Sequence, residues 1–153
     1  MSRTKLTTHF SLEELLFSQE AARHCLDNIP GGSVQINLAR LAETLERIRA
    51  AVGNRTVTVT SGYRSPALNQ RIGGSRTSAH MDGRAADIVV RGMTALQVAR
   101  AIQAAGIVLD QLIFEGSWVH VGIARVGERA RGDVLTAKFG PAGVKYERGI
   151  VAA

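Results

Sequence analysis

Two apolar segments within residues 109–123 flank the dipeptide Gly116-Ser117, and this stretch constrains the fold more than any other. Glycine at the first position of a two-residue turn favours a type II′ β-hairpin. The turn sets the register, which predicts these cross-strand pairs: Glu115 with Trp118, Phe114 with Val119, and Ile113 with His120. Because side chains alternate between the two faces of a strand, Glu115 and His120 should share one face as diagonal neighbours.

Helical periodicity appears on both sides of this hairpin. Ser11 followed by Glu14 is the pattern of a capping box, which predicts a first helix over residues 10–26. Apolar residues at three- and four-residue steps predict a second helix over residues 34–48, closed by Gly53. Two further helices are predicted, a short one started by Pro66 and one capped by Thr94 and Gln97 that ends at Gly106.

The remaining segments favour strands. Alternating β-branched residues over 56–60 predict a strand that ends at Gly62, and the apolar run at 85–90 predicts a buried one. After the hairpin the pattern weakens, with one strand expected near residues 134–139. No repeat or linker interrupts the chain. We therefore expect a single α+β domain over residues 1–153, with helices packed on a small antiparallel sheet that carries a metal site.

Charge and composition limit the possible partners. A net charge of +6 and a pI of about 10.4 favour an anionic partner. With 5% aromatic residues and no recognisable motif, specific nucleic-acid binding is not expected. The single cysteine, Cys25, excludes an intrachain disulfide and a thiolate zinc cluster. No apolar run reaches the ~20 residues of a membrane helix, and no secretory signal is recognisable, so we expect no transmembrane segment and synthesis in the cytoplasm.

The segment SAHMDGRAAD, residues 78–87, places His80 and Asp87 on either side of Gly83. A glycine allows the chain to turn back so that both side chains could reach one ion. Together with His120 they would supply two imidazoles and one carboxylate. This ligand set suits a catalytic zinc, which keeps three protein ligands and leaves the fourth position open.

Glu115, on the same predicted face as His120, is the candidate acceptor for a water proton. Asp110 has the opposite parity along the strand and is expected on the other face. Each group also has a purely structural interpretation when taken singly. A strand histidine is often a satisfied core or surface group, Glu115 could be a solvated strand end, Arg64 an ion-pair partner, and Trp118 a core residue.

The candidate site residues lie in or next to three segments, SGYRSPALN, SAHMDGRAAD and WVHV. They resemble the family of zinc murein peptidases that includes D-Ala-D-Ala carboxypeptidases and phage L-alanyl-D-glutamate endolysins. The family pattern S-x-H-x-x-G-x-A-x-D is met at Ser78, His80, Gly83, Ala85 and Asp87. The similarity is clearest over about residues 9–123 and is greatest to the small phage and prophage members. It implies a Hedgehog/D-Ala-D-Ala peptidase-like fold.

The resemblance also implies roles for individual residues. His80, Asp87 and His120 would be the ligands of one Zn²⁺. Arg64 would stabilise the oxyanion, and Glu115 would be the general base. Ser78 and Tyr63 would bind the substrate. One departure from the family concerns the base. In the dipeptidase branch the catalytic glutamate stands as E-x-x-H, a position that falls on Ser117 here, whereas Glu115 stands five residues before His120.

The expected function is zinc-dependent hydrolysis of an amide bond in the stem peptides of peptidoglycan. The resemblance points to a phage or prophage endolysin, made in the cytoplasm without a signal peptide and acting on the wall after release. A monomer is expected as the usual state of a small lytic enzyme. The bond could be L-Ala to D-Glu, D-Ala to D-Ala, or a cross-bridge. The alternative is a noncatalytic zinc-binding module of the same fold that binds the wall or another partner.

Overall fold

The computed structural model describes residues 3–152, so residues 1, 2 and 153 of the expected domain lie outside it. Within the described range the α-helices are α1 Leu12–Leu16, α2 Gln19–Arg23, α3 Gly32–Ala51, α4 Pro66–Arg71 and α5 Ala95–Ala104. A 3-10 helix spans Ala79–Asp82. The strands of the same range are β1 Val57–Ser61, β2 Ala85–Val90, β3 Gln111–Phe114, β4 Val119–Gly122, β5 Asp133–Gly140 and β6 Gly143–Arg148.

The strands form one sheet in the order β1-β2-β4-β3-β5-β6. Neighbouring strands are antiparallel except β3 and β5, which run parallel with Ile113 beside Leu135. The α+β class is confirmed, but the sheet is mixed and larger than the small antiparallel one expected. The reason is the β4–β5 connection, residues 123–132. This connection begins at the end of β4, which lies beside the start of β3. It then crosses to the other edge of β3, so β5 runs parallel to β3.

Helices α3 and α5 cover the face of this sheet opposite the one that carries Asp87 and His120. Helix α3 buries one apolar stripe, and α5 packs beside it; their buried residues are Leu38, Leu41, Leu45, Ile48, Val98 and Ile102. On the central strands Ile88 and Val121 enter the same core, whereas Asp87 and His120 alternate to the opposite face. Of the helices within residues 3–152, none is both long and apolar enough to cross a membrane.

The N-terminal helical segment differs from its prediction. The capping box of Ser11 and Glu14 is confirmed, but the expected continuous helix is two short helices. Phe17 adopts an extended backbone with ψ 133°, and the Ser18 hydroxyl accepts a hydrogen bond from the Ala21 backbone N–H at 3.2 Å. A serine that caps a new helix competes with the helix before it, and this competition ends α1.

The central hairpin has the predicted register. Ile113 lies opposite His120, and the Glu115 backbone N–H donates to the Trp118 carbonyl at 3.0 Å. The turn itself differs from the predicted type II′: Gly116 has φ +81°, and the Ser117 backbone N–H donates to the Glu115 carbonyl at 3.0 Å, which is the hydrogen bond of a γ-turn centred on Gly116. This register places Glu115 and His120 on one face.

The C-terminal segment contains a second hairpin where one strand was expected. Strand β5 pairs with β6 along its length, from Leu135 opposite Arg148 to Gly140 opposite Gly143. Strand β6 is exposed throughout. Val144 and Tyr146 alternate with Lys145 and Glu147, a short pattern with a period of two that the sequence prediction missed. This hairpin extends the sheet beyond the site.

Candidate metal centre

Three predicted ligands converge on the open face of the sheet. Strands β2 and β4 place Asp87 directly opposite His120, and the 3-10 helix delivers His80 from the side. The Asp87 Oδ1 atom lies 3.1 Å from His120 Nδ1 and 3.4 Å from His80 Nε2. One ligand atom from each residue lies within 4.8 Å of the others, which is close enough for one ion.

The orientation of His80 is fixed by a backbone contact. Its Nδ1 lies 2.7 Å from the Gly62 carbonyl oxygen, which can only accept, so Nδ1 carries the hydrogen and Nε2 presents its lone pair. Gly62 itself has no room for a side chain. A Cβ atom there would lie 2.3 Å from the Leu15 carbonyl oxygen. The packing of α1 against the end of β1 therefore sets the position of the carbonyl that orients His80.

The electrostatics of this group fit a cation. Burial lowers the pKa of His80, so the imidazole is neutral at pH 7. Burial alone would raise the pKa of Asp87, but the interactions of its carboxylate with the two histidines, chiefly the hydrogen bond from His120, outweigh it and hold the pKa well below its usual range. The His80 Nε2 lone pair thus faces a carboxylate, an acceptor-to-acceptor contact that a bound cation would relieve. Two imidazoles and one carboxylate suit Zn²⁺.

Arg64 lies beside the ligands and is held by several polar contacts. Its Nη2 is 3.5 Å from Asp87 Oδ2, its Nε donates to Ser61 Oγ at 3.2 Å, and its Nη1 donates to Asn69 Oδ1 at 3.3 Å. The Arg64 backbone N–H also donates to the His80 carbonyl at 3.0 Å. The guanidinium is therefore fixed next to the ligands.

Glu115 faces the same side of the sheet. Its carboxylate accepts a hydrogen bond from the Trp118 indole N–H, which connects the two ends of the hairpin turn. Burial raises the pKa of Glu115, and the nearby Asp87 carboxylate adds to the shift, while His120, Trp118 and Arg64 oppose it. A carboxylate with a raised pKa is a better proton acceptor at neutral pH than an ordinary one.

These side chains surround one open depression with a volume of about 830 Å³. The predicted residues in its lining are the three ligands His80, Asp87 and His120, together with Arg64, Ser78 and Glu115. Ser78 forms part of the wall and caps the 3-10 helix, its hydroxyl accepting from the His80 backbone N–H at 3.2 Å. A depression of this size can hold a peptide segment.

Tyr63 is not brought to this depression. It is 6% exposed and packs in the hydrophobic core. Its backbone N–H donates to the Leu15 carbonyl at 2.8 Å, and its carbonyl accepts from Asn28 Nδ2 at 3.0 Å. Tyr63 does not line the depression, and the substrate contact suggested for it stays a prediction.

Other residues at the site were missed in the sequence. Asn69 is 3% exposed and ties Arg64 to the Ser75 carbonyl, which its Nδ2 contacts at 2.8 Å. Arg84 is 5% exposed and joins Asp82 to the end of β4. Asn69 does stand at the end of the SGYRSPALN segment, but its burial is visible only in three dimensions.

Asp110 lies closer to the site than strand alternation predicted, which had placed it on the face opposite Glu115. It precedes the first paired residue of β3, so strand alternation does not fix its direction. It lines the rim of the depression, where it binds Arg131.

The buried His-Asp-His group on the open face of the α+β fold defines a candidate metal centre. Residues 8–122, about three-quarters of the chain, match the Peptidase M15 family, and the chain belongs to this family. It is also similar to the zinc D-Ala-D-Ala carboxypeptidase of Streptomyces albus G, with 34% identity over 77 residues. That match covers 47% of this chain and 30% of the relative. The resemblance to zinc murein peptidases is confirmed, and zinc is the metal that both similarities imply.

Proposed function

We propose that this protein is a zinc-dependent peptidoglycan peptidase that hydrolyses an amide bond in murein stem peptides. The observation that carries the proposal is the convergence of His80, Asp87 and His120 at the floor of a depression that Arg64 and Glu115 also line. Membership in the Peptidase M15 family and similarity to a zinc D-Ala-D-Ala carboxypeptidase support the same substrate class.

The residues would divide the reaction between them. Zn²⁺ held by His80, Asp87 and His120 would supply Lewis-acid polarisation of the substrate carbonyl. Glu115 accepts the proton of the attacking water and passes it to the leaving amine, so that both proton transfers use one carboxylate. Arg64 donates to the oxyanion that develops on the carbonyl oxygen. No covalent intermediate with the protein is required.

Two contacts support these assignments. The Trp118 indole holds the Glu115 carboxylate in place, and the raised pKa of Glu115 favours proton uptake. Arg64 is fixed by Ser61 and Asn69, so its guanidinium does not need to be ordered when charge develops. Pre-ordered donors of this kind stabilise a transition state more than mobile ones do.

Further proposals concern the origin of the protein, its oligomeric state and where it acts. We propose a monomeric phage or prophage endolysin, made in the cytoplasm and acting on the wall after release, with residues 1–153 as one domain. The net charge of +6 supports attraction to an anionic wall. A lysis cassette around the gene and a monomeric mass in solution would support this origin and state. A chromosomal context without phage genes or a dimeric mass would contradict them.

The test of the activity uses purified peptidoglycan with the zinc-loaded wild type, Glu115→Gln and Glu128→Gln. Glu128 is the matched control, since it lines the same depression but is an exposed residue of its rim. We expect the wild type and Glu128→Gln to release defined peptides whose masses identify the bond. Glu115→Gln should retain one zinc but lose at least about 100-fold in rate.

Two results would contradict the proposal. If zinc-loaded wild type released no fragment from several peptidoglycan types, the noncatalytic module would be the better description. If Glu115→Gln cleaved as fast as Glu128→Gln, the hydrolase would stand but Glu115 would not be its base.

A further inference from the structure

The C-terminal hairpin, strands β5 and β6, builds a side of the depression that the family match does not include. The match ends at residue 122, whereas Leu135 and Tyr146 of the hairpin line the depression together with Glu115 and His120. The sheet register explains how they reach it. Each strand added beyond β3 continues the face that carries Glu115.

Successive pairings place Tyr146 on that face. Ile113, which shares the face of Glu115, lies beside Leu135 in the parallel pair. Ala137, two residues after Leu135, lies directly opposite Tyr146 in the antiparallel pair. Since side chains two residues apart point the same way, Tyr146 and Glu115 share one face two strands apart. Two strand spacings are about 10 Å, a gap that a tyrosine side chain can largely bridge.

The phenol of Tyr146 is accessible and able to donate. The residue is 55% exposed on the last strand of the sheet. Burial of its hydroxyl side raises the pKa of Tyr146, and the negative charge of Glu115 raises it further, so the group keeps its proton at neutral pH. Its sensitivity to Glu115 agrees with the pairing that directs it into the depression. An exposed aromatic residue beside a site is suited to bind a ligand.

We propose that Tyr146 is a substrate-binding residue, whose hydroxyl donates a hydrogen bond to a carbonyl or carboxylate oxygen of the stem peptide lying across Glu115. This inference rests on the proposed function, because it assigns a residue to the same substrate. Stem peptides carry free carboxylates and amide carbonyls on successive residues. The Tyr146 hydroxyl, two strands away from Glu115, would therefore meet an acceptor on a peptide bound across Glu115. The C-terminal hairpin then contributes to substrate affinity and leaves the chemistry to the residues around the metal.

Binding can be measured apart from catalysis. Trp118 is the single tryptophan of the chain and contacts Glu115, so its fluorescence reports occupation of the depression. The probe is the synthetic stem L-Ala-D-Glu-L-Lys-D-Ala-D-Ala, titrated into zinc-loaded Glu115→Gln protein. Tyr146→Phe and Tyr146→Ala are compared in that background. Lys145→Ala is the matched control, since it is the adjacent residue of the same strand and faces the other side.

We expect Tyr146→Phe to raise the Kd about fivefold, the loss of one neutral hydrogen bond, and Tyr146→Ala to raise it further. Lys145→Ala should leave the Kd unchanged. In the Glu115-containing enzyme, Tyr146→Phe should raise KM by a similar factor while kcat changes less than twofold. Melting temperature and zinc content should be the same for all variants, which separates a lost contact from a loss of structure.

The inference is overturned if Tyr146→Phe in the Glu115→Gln background binds the probe as tightly as Glu115→Gln alone, even when the wild type is an active peptidase. It is equally overturned if the parent does not bind the stem peptide. A protein that binds the peptide in a Tyr146-dependent way but cleaves no bond would remove the catalytic proposal and leave this inference in place.

Discussion

The two walls of the depression are built differently. The inner wall, His80, Asp87, His120 and Arg64, exposes at most 14% of any of its side chains. The outer wall, Arg125, Glu128, Arg131 and Tyr146, exposes more than half of each. Inner-wall side chains contact fixed backbone atoms or one another, whereas the outer wall lies on a connection and an edge strand beyond the family match.

This difference indicates that the two walls have different functions. A group that must hold a metal or stabilise a transition state needs its position set within a fraction of an ångström, which buried and hydrogen-bonded surroundings provide. A group that adjusts to a polymer can remain mobile and solvated. Substitutions that displace the metal ligands of the inner wall should therefore alter stability and zinc affinity together. Those on the outer wall should alter stability little.

The largest effect is expected for Gly83→Val, next to the inner wall. Gly83 has φ +72°, and a Cβ there would lie 2.9 Å from the Val34 carbonyl oxygen and 3.1 Å from Leu38 Cγ. A β-branched residue meets both backbone strain and a clash with α3. We expect the free energy of unfolding to fall by about 3 kcal/mol or more, and zinc affinity to fall with it. Urea denaturation and zinc titration measure the two quantities.

The matched control is Gly127→Val on the β4–β5 connection. Gly127 has a similar φ of +82°, but a Cβ there would meet nothing within 4 Å. It should lose only the conformational part, about 1 to 2 kcal/mol, and keep its zinc affinity. Equal losses in the two variants would show that packing against α3 does not hold the inner wall.

A smaller effect is expected for Gly62→Ala. The new Cβ would lie 2.3 Å from the Leu15 carbonyl oxygen, so the end of β1 must shift. That shift moves the Gly62 carbonyl away from His80 Nδ1, and loss of such an outer contact typically weakens zinc binding 10- to 100-fold. We expect the free energy of unfolding to fall by about 1 to 3 kcal/mol.

Competition with a chromogenic zinc chelator measures the affinity of Gly62→Ala. Gly32→Ala is the control, because it starts α3 with no atom within 4 Å of its Cβ position and should be neutral or slightly stabilising. Unchanged zinc affinity in a destabilised Gly62→Ala protein would mean that the carbonyl does not orient the histidine.

Features set by a few neighbouring residues could be predicted from the sequence. The hairpin register followed from Gly116-Ser117 because a two-residue turn leaves one pairing, and that pairing correctly placed Glu115 beside His120. Helix caps at Ser11 and Thr94 are equally local and were found. Local signals of this kind are sufficient wherever the turn or cap determines the structure.

Long-range packing was not predictable in the same way. The parallel pairing of β5 with β3 depends on where the β4–β5 connection crosses, which no short segment encodes. Strand β6 alternates apolar and charged residues, but the face that carries Tyr146 depends on its pairing with β5, which no short segment encodes. Asn69 was missed, and the burial of Tyr63 was not foreseen, because which polar or aromatic side chain turns inward depends on contacts with distant residues.

A moderate effect is expected for Asn69→Ala, which acts on the inner wall through Arg64. The change removes the acceptor at 3.3 Å from Arg64 Nη1 and leaves the Ser75 carbonyl without its buried donor. We expect a loss of about 1 to 3 kcal/mol in the free energy of unfolding and about a tenfold lower kcat, with zinc content unchanged. Steady-state kinetics on peptidoglycan fragments and urea denaturation provide the measurements.

A double-mutant cycle tests the route of this effect. Combined with Arg64→Ala, the Asn69→Ala change should reduce kcat no further, because its effect passes through the guanidinium. Additive losses would show that Asn69 acts independently of Arg64.

The smallest effect is expected on the outer wall, where Asp110 binds Arg131. Burial alone would raise the pKa of Asp110, but hydrogen bonds from the Arg131 side chain and backbone outweigh it and lower the pKa. A carboxylate whose folded-state pKa is lowered contributes stability above its unfolded pKa of about 3.9 and loses it as the pH falls through the folded value. Because Arg131 is 62% exposed, Asp110→Asn should cost at most about 1 kcal/mol at pH 7.

That cost should stay constant from pH 7 to about 5 and shrink below pH 4, as the wild-type carboxyl becomes neutral like the amide. Urea denaturation of both proteins across this range measures it, and 1 M NaCl at pH 7 should reduce it by screening the pair. Zinc affinity should be the same in both proteins. A difference that grew on acidification would reverse the sign of the pKa shift, and a loss of zinc would show that the two walls are coupled.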